Sequence, residues 1–183
     1  PLPIALTGFL PAAFSINVLN IPPLKLMMAE PKERQMVRIK NSQKRIRISQ
    51  KWIRALGSAI LKDSGCQKAE LSILLLDDEE IREINRIYLK RNRPTDVISF
   101  PQDEVLRRPG GSRLLGDVAI SLETAQRQAG QSGKPLKEEC AFLLIHGILH
   151  LLGFDHEGST HQKRKMTERE TKLFQTVKKQ KLF

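Results

Sequence analysis

PLKEECAFLLIHGILHLLGFDH, residues 135–156, is the stretch on which the fold turns. Pro135 starts a helix predicted to run to Leu152, and apolar residues fall on nearly every side of it. A helix of that kind belongs at the centre of a core. Yet it carries His146 and His150, four apart, which places both imidazoles on one face, one turn apart. Gly153 offers a helix stop, and His156 then folds back towards the pair. Three neutral imidazoles converging on one point make a zinc site with its fourth position open, the arrangement of a catalytic rather than a structural zinc. A single buried histidine is usually a satisfied core residue. Three of the chain's four histidines at this spacing make metal the better reading. Imidazole also suits nickel and copper. Gly147 stands where the HExxH motif of metalloproteases keeps its glutamate, so any general base lies elsewhere or metal-activated water does the work.

Working outward from this helix, residues 114–121 and the apolar run LSILLL at 71–76 read as strands. PTDVISFP leads into a short strand, and residues 37–49 suggest an extended strand with basic side chains outward. Ser49 looks like the N-cap of a helix to about Asp63, with Trp52, Ile53, Leu56 and Ile60 on one face. Asp77 or Asp78 caps a second helix whose core stripe is Ile81, Ile84, Ile87 and Tyr88. Residues 123–131 form another helix, residues 103–113 a polar loop, and residues 160–177 a last helix with a dense basic face. The expected fold is a single α+β domain: a small mixed sheet packed by about five helices, with the histidine helix buried at its centre. Regular βαβ alternation is not expected.

Residues 1–35 read differently. They are apolar, broken by prolines and without periodicity, and they lack the basic n-region of a signal peptide. Their proline-free apolar runs are too short to span a bilayer. The expectation is a disordered extension, from an upstream start, ahead of a domain at residues 36–183. The extension holds three basic and two acidic residues, so nearly all of the chain's charge of +11 lies beyond it. That excess favours a polyanionic partner, nucleic acid above all. An aromatic content of 5% argues against a binder built on base stacking. Cys66 and Cys140 have no zinc-finger spacing; Cys140 reads as a buried small hydrophobe, and the pattern suits a reducing cytoplasm.

HGILHLLGFDH resembles the HGxLHLxGxDH signature of the YbeY family of endoribonucleases. NRIYLKRNRPTDVISFP at residues 85–101 resembles that family's N-x-x-Y…PTDVLSFP segment, and LLGDVAIS at 114–121 its LGDI/V-I-S strand. The blocks occur in family order, and the resemblance covers roughly residues 37 to 176. It implies a single-strand-specific, zinc-dependent hydrolase of RNA. The implied roles are 3′-end maturation of small-subunit ribosomal RNA and ribosome quality control. Ribosomal RNA and the small subunit would then be the partners, with no membrane involved. Leu89 stands where the family usually carries an arginine after the tyrosine, and the C-terminal helix is basic where the family is often acidic.

In this reading His146, His150 and His156 are both metal ligands and catalytic residues for one Zn2+ ion. Lys90, Arg91 and Arg93 are the candidate substrate contacts, with the basic stretches at 37–54 and 163–181 as further phosphate contacts. Asp155 is a candidate metal-site acceptor, base or turn residue. Asp96 and Asp117 read as turn-fixing, His161 as a surface residue, and Ser99 and Ser121 as poor nucleophiles. Two rival readings stand beside it. One is a zinc hydrolase of another class, disfavoured by the missing glutamate. The other is a non-catalytic ribosome-assembly factor, with a structural zinc, that docks RNA or a ribosomal protein.

Overall fold

The computed structural model describes residues 36–102, 114–155 and 159–182. The extension at 1–35, the predicted loop at 103–113 and His156 lie outside the described residues. The elements in order are β1 (Val37–Asn41), α1 (Gln50–Asp63), β2 (Glu70–Leu76), α2 (Asp78–Leu89), β3 (Val97–Pro101), β4 (Leu114–Ser121), α3 (Leu122–Gln131), α4 (Leu136–Leu151) and α5 (Thr160–Lys179). The sheet order is β1-β2-β4-β3. β2 pairs in parallel with both β1 and β4, while β3 runs antiparallel to β4. The result is a single α+β domain with a four-stranded mixed sheet and five helices. It contains one direct parallel crossover, β1-α1-β2, which the sequence reading did not anticipate.

Both faces of the sheet are covered. Leu71, Ile73 and Leu75 of β2, with Val118 and Ile120 of β4, join a large core shared with α1, α3, α4 and α5. Leu74, Leu76, Ile98 and Ala119 point the other way, against Ile81 of α2. Two buried faces explain why LSILLL is a continuous apolar run rather than an alternating one. Ser49 caps α1 by accepting from the Trp52 amide, and Asp77 forms a capping box with Glu80 at the start of α2. Asp78 in that first turn accepts from Ser121 Oγ at 2.6 Å, Thr124 Oγ1 at 2.7 Å and Arg127 at 2.6 Å, which ties α2 to α3. Burial pushes its carboxyl pKa up, but hydrogen bonds from Ser121, Arg127 and Thr124 outweigh this and hold it below the ordinary value.

Two expectations change. The basic segment KRIRIS is not a strand; β1 ends at Asn41, and Gln43 holds the following turn by pairing with Ile46. The stripe of α2 buries Ile81 and Asn85, whereas Tyr88 is 40% exposed and meets the Phe100 ring edge-on at 5.1 Å. Asn85 is buried because its amide donates to the Arg93 carbonyl at 2.7 Å, closing the loop after α2.

α4 lies directly on β3 and β4. A Cβ on Gly147 would meet Val118 Cγ1 at 2.8 Å and Ser99 Oγ at 3.1 Å, and the Ser99 hydroxyl donates to the Gly147 carbonyl. The glycine in the position of the HExxH glutamate is therefore set by helix–sheet approach. Six Leu and Ile side chains of α4 are buried, each contributing roughly 1.5–3 kcal/mol. Against that gain, desolvating each imidazole costs about 1–3 kcal/mol unless a hydrogen-bond partner or a metal compensates it. Among the described residues, no helix is long and apolar enough to cross a membrane.

Gly116 sits where the β2–β4 register shifts, at φ +139°, and a Cβ there would lie 2.2 Å from the Phe100 carbonyl oxygen. Gly116→Ala is expected to lower stability by about 3 kcal/mol or more, from backbone strain and overpacking together. Denaturant unfolding checks this; an unchanged midpoint would show that β3 and β4 do not approach as described.

Candidate metal centre

The buried face of α4 carries Phe142, His146 and His150 at successive turns. The Phe142 and His146 rings stack with centroids 6.2 Å apart, and His146 meets His150 edge-on at 4.7 Å. The two imidazoles are 5% and 2% exposed, so they are core residues by position. Their Nε2 atoms face each other at 3.1 Å. On its other side, His146 Nδ1 lies 2.6 Å from Glu170 Oε1 on α5.

This geometry permits one neutral tautomer that suits a metal. With Nδ1–H donating to the carboxylate, the neutral ring keeps its lone pair on Nε2, aimed at His150. Two nitrogens bound tetrahedrally at about 2.0–2.1 Å from one ion lie roughly 3.3 Å apart. The observed 3.1 Å separation is that of a hydrogen bond between the two rings, and it is also close to the spacing a shared ion requires. The donor set is imidazole, which suits zinc and its transition-metal neighbours. Glu170 sits at the Nδ1 edge of His146, away from the Nε2 that faces His150, a place from which a carboxylate could support a metal ligand rather than be one. Among the described residues, no group of three or more His, Cys, Asp or Glu side chains gathers at metal-binding spacing. The third predicted ligand, His156, lies outside the described residues, and Asp155 just before it is half-buried.

Other sequence candidates fall elsewhere. Asp96 is buried and accepts from Thr95 Oγ1, the Val97 amide and Gln128 Nε2, which starts β3 and ties it to α3. Asp117 is 8% exposed on β4, opposite Phe100 and Ser72. Ser99 is held by the Gly147 carbonyl, and Ser121 caps α3 while donating to Asp78. His161 is exposed in the first turn of α5. Burial pushes the Cys140 thiol up to about 12, so it stays protonated and inert.

Lys90, Arg91 and Arg93 are all exposed, in the loop between α2 and β3. Lys90 takes the left-handed C-cap of α2 at φ 58°, and the Arg91 amide donates to the Asn85 carbonyl. The loop leads into β3, which passes under α4 where Ser99 meets Gly147. Leu89, half-buried, packs on the smaller core against α2's side of the sheet. Some of the remaining basic charge is engaged internally. Arg38 lies 3.8 Å from Glu70, Arg45 pairs with Glu123 at 2.7 Å, and Arg169 donates to the Asp63 carbonyl at 2.8 Å.

Glu170 is the residue that sequence reasoning missed. The buried positions of α5 are Met166, Leu173 and Val177. Glu170 falls on the same stripe, four after Met166, and an acid there was the available signal.

Zinc added to the chelator-stripped protein is expected to raise its thermal midpoint, by about 2.7 kcal/mol of stabilisation at a hundredfold excess over Kd. His150→Gln should abolish the rise. Differential scanning calorimetry reads this, and an equal rise in both proteins would place the metal elsewhere.

The model of the family described as Endoribonuclease YbeY matches residues 38–178. An Endoribonuclease YbeY from Syntrophotalea carbinolica is 46% identical over 149 residues, covering 79% of this chain and 97% of that protein. One from Aquifex aeolicus is 42% identical over 148 residues, covering 81% and 94% respectively. The solution structure of TM1509 from Thermotoga maritima shares the fold, with a TM-score of 0.55 and 24% identity over 77% of this chain and 88% of that one.

Proposed function

This chain belongs to the Endoribonuclease YbeY family, and from that premise we propose that it is a zinc-dependent, single-strand-specific endoribonuclease. Its proposed role is in maturing the 3′ end of small-subunit ribosomal RNA and in ribosome quality control, in the cytoplasm. The observation that carries the metal part is the facing pair of buried Nε2 atoms, 3.1 Å apart. His146 and His150 would hold the ion through Nε2, with His156 as the third ligand. Bound there, zinc supplies a Lewis acid and lowers the pKa of water towards about 7.

The rest is done by the chain's own side chains. Glu170, 2.6 Å from His146 Nδ1, would take a hydrogen bond from it and leave Nε2 without a proton. α4, clamped on β3 and β4 at Gly147, keeps the imidazoles from drifting apart. The exposed cations Lys90, Arg91 and Arg93 attract the RNA backbone, and a net charge of +11 draws polyanions to the surface as a whole. The two cysteines are free thiols, which suits a reducing compartment.

Incubating a labelled precursor small-subunit RNA with the zinc-loaded protein, alone and with ribosomal subunits, tests the proposal. The parent should cleave it, and His150→Gln should lower the rate at least 100-fold while RNA binding is kept. Equal cleavage by both would refute a catalytic role for the histidines. Binding without cleavage by either protein, with and without subunits, would favour an assembly factor with a structural zinc.

A further inference from the structure

We infer that Glu170 is a positioning residue for His146: its carboxylate fixes the tautomer and orientation of the ring so that Nε2 is presented to a metal as a lone-pair donor. The inference rests on the metal reading above and deepens it. Four observations converge on it. The carboxylate lies 2.6 Å from Nδ1, with the His146 and Glu170 side chains 6% and 14% exposed. Glu170 occupies the core-facing stripe of α5 between Met166 and Leu173, where a carboxylate is seldom found unless it is paired. It approaches the ring from the edge opposite the Nε2 atom that faces His150. Its backbone is anchored independently, because neighbouring Arg169 donates to the Asp63 carbonyl at the end of α1.

The alternative is that Glu170 only satisfies a buried imidazole. The two roles make different predictions. A purely structural carboxylate can be replaced by leucine, which completes the apolar stripe, with no consequence at Nε2. A positioning carboxylate cannot. Without an acceptor at Nδ1, the neutral ring is free to carry its proton on Nε2, and that tautomer has no lone pair to offer there. The stacked Phe142 ring limits the plane of the imidazole but does not choose its tautomer.

The test measures zinc affinity of the full chain by competition with a chromophoric chelator. It compares the parent, Glu170→Leu, Glu170→Gln and His150→Gln, each with its zinc-free thermal midpoint. Ring-nitrogen NMR of zinc-free protein reads the His146 tautomer. Glu170→Leu should lower the zinc-free midpoint, because a buried Nδ1 loses its acceptor, lose zinc affinity 10- to 100-fold, and show protonated Nε2, by roughly the scale of such supporting contacts. Glu170→Gln, which keeps a carbonyl acceptor at nearly the same size, should lose less and stay folded even if leucine disturbs packing. Parent-like affinity and an unchanged tautomer in both Glu170 variants, with affinity lost in His150→Gln, would overturn the inference and leave the metal reading intact. Parent-like affinity in His150→Gln would overturn the metal reading and the inference with it.

Discussion

An imidazole pair inside an apolar helix carries a desolvation cost that only a partner can offset, and the architecture is arranged around that requirement. α4 is buried nearly all round, so its position is set by its packing against α1, α3, α5, β3 and β4. That rigidity is what allows two Nε2 atoms to face each other at 3.1 Å. The same packing excludes a side chain at Gly147, which presses the helix onto β3 and β4. α5 then closes the far side, with Glu170 reaching the Nδ1 edge of His146. Core and site are thus one construction: weakening the packing of α4 loosens the imidazoles, and removing the imidazoles' partners leaves polar groups stranded in the core.

Charge follows a different logic. Of the many arginines, Arg38, Arg45, Arg127 and Arg169 are drawn into contacts within the fold. Arg127 joins the cluster that binds Asp78 of α2 to Ser121 and Thr124 of α3. The exposed remainder, including the loop at Lys90, Arg91 and Arg93, stays available to solvent and to a polyanion. The loop owes its shape to Asn85, whose buried amide holds the Arg93 carbonyl. A basic sequence therefore does not translate directly into a basic binding face, because part of the excess serves as internal mortar.

Much of this was legible in the residues. Continuous apolarity marked α4 and β2 as buried, capping residues marked Ser49 and Asp77, and i,i+4 spacing placed His146 and His150 on one face. The failures have physical causes. KRIRIS alternates like a strand, but it follows the edge strand β1, and Gln43 turns the chain there. Tyr88 was assigned to the core of α2 because it is apolar at the right spacing, yet the buried position went to Asn85 for a hydrogen bond that spans eight residues. Glu170 was overlooked because its meaning depends on a contact twenty-four residues away, which no local pattern encodes. The parallel pairing of β1, β2 and β4 likewise depends on non-local register rather than on any residue type.

The central claim is that a single metal ion is held by His146 and His150 of α4 together with His156. X-ray absorption at the zinc edge of the zinc-loaded protein tests it most directly. The account predicts one ion per chain, with nitrogen or oxygen neighbours at about 2.0–2.1 Å, imidazole scattering beyond them, and no sulfur at about 2.3 Å. A sulfur shell, which would implicate Cys66 or Cys140, or failure to retain one zinc per chain, would contradict it.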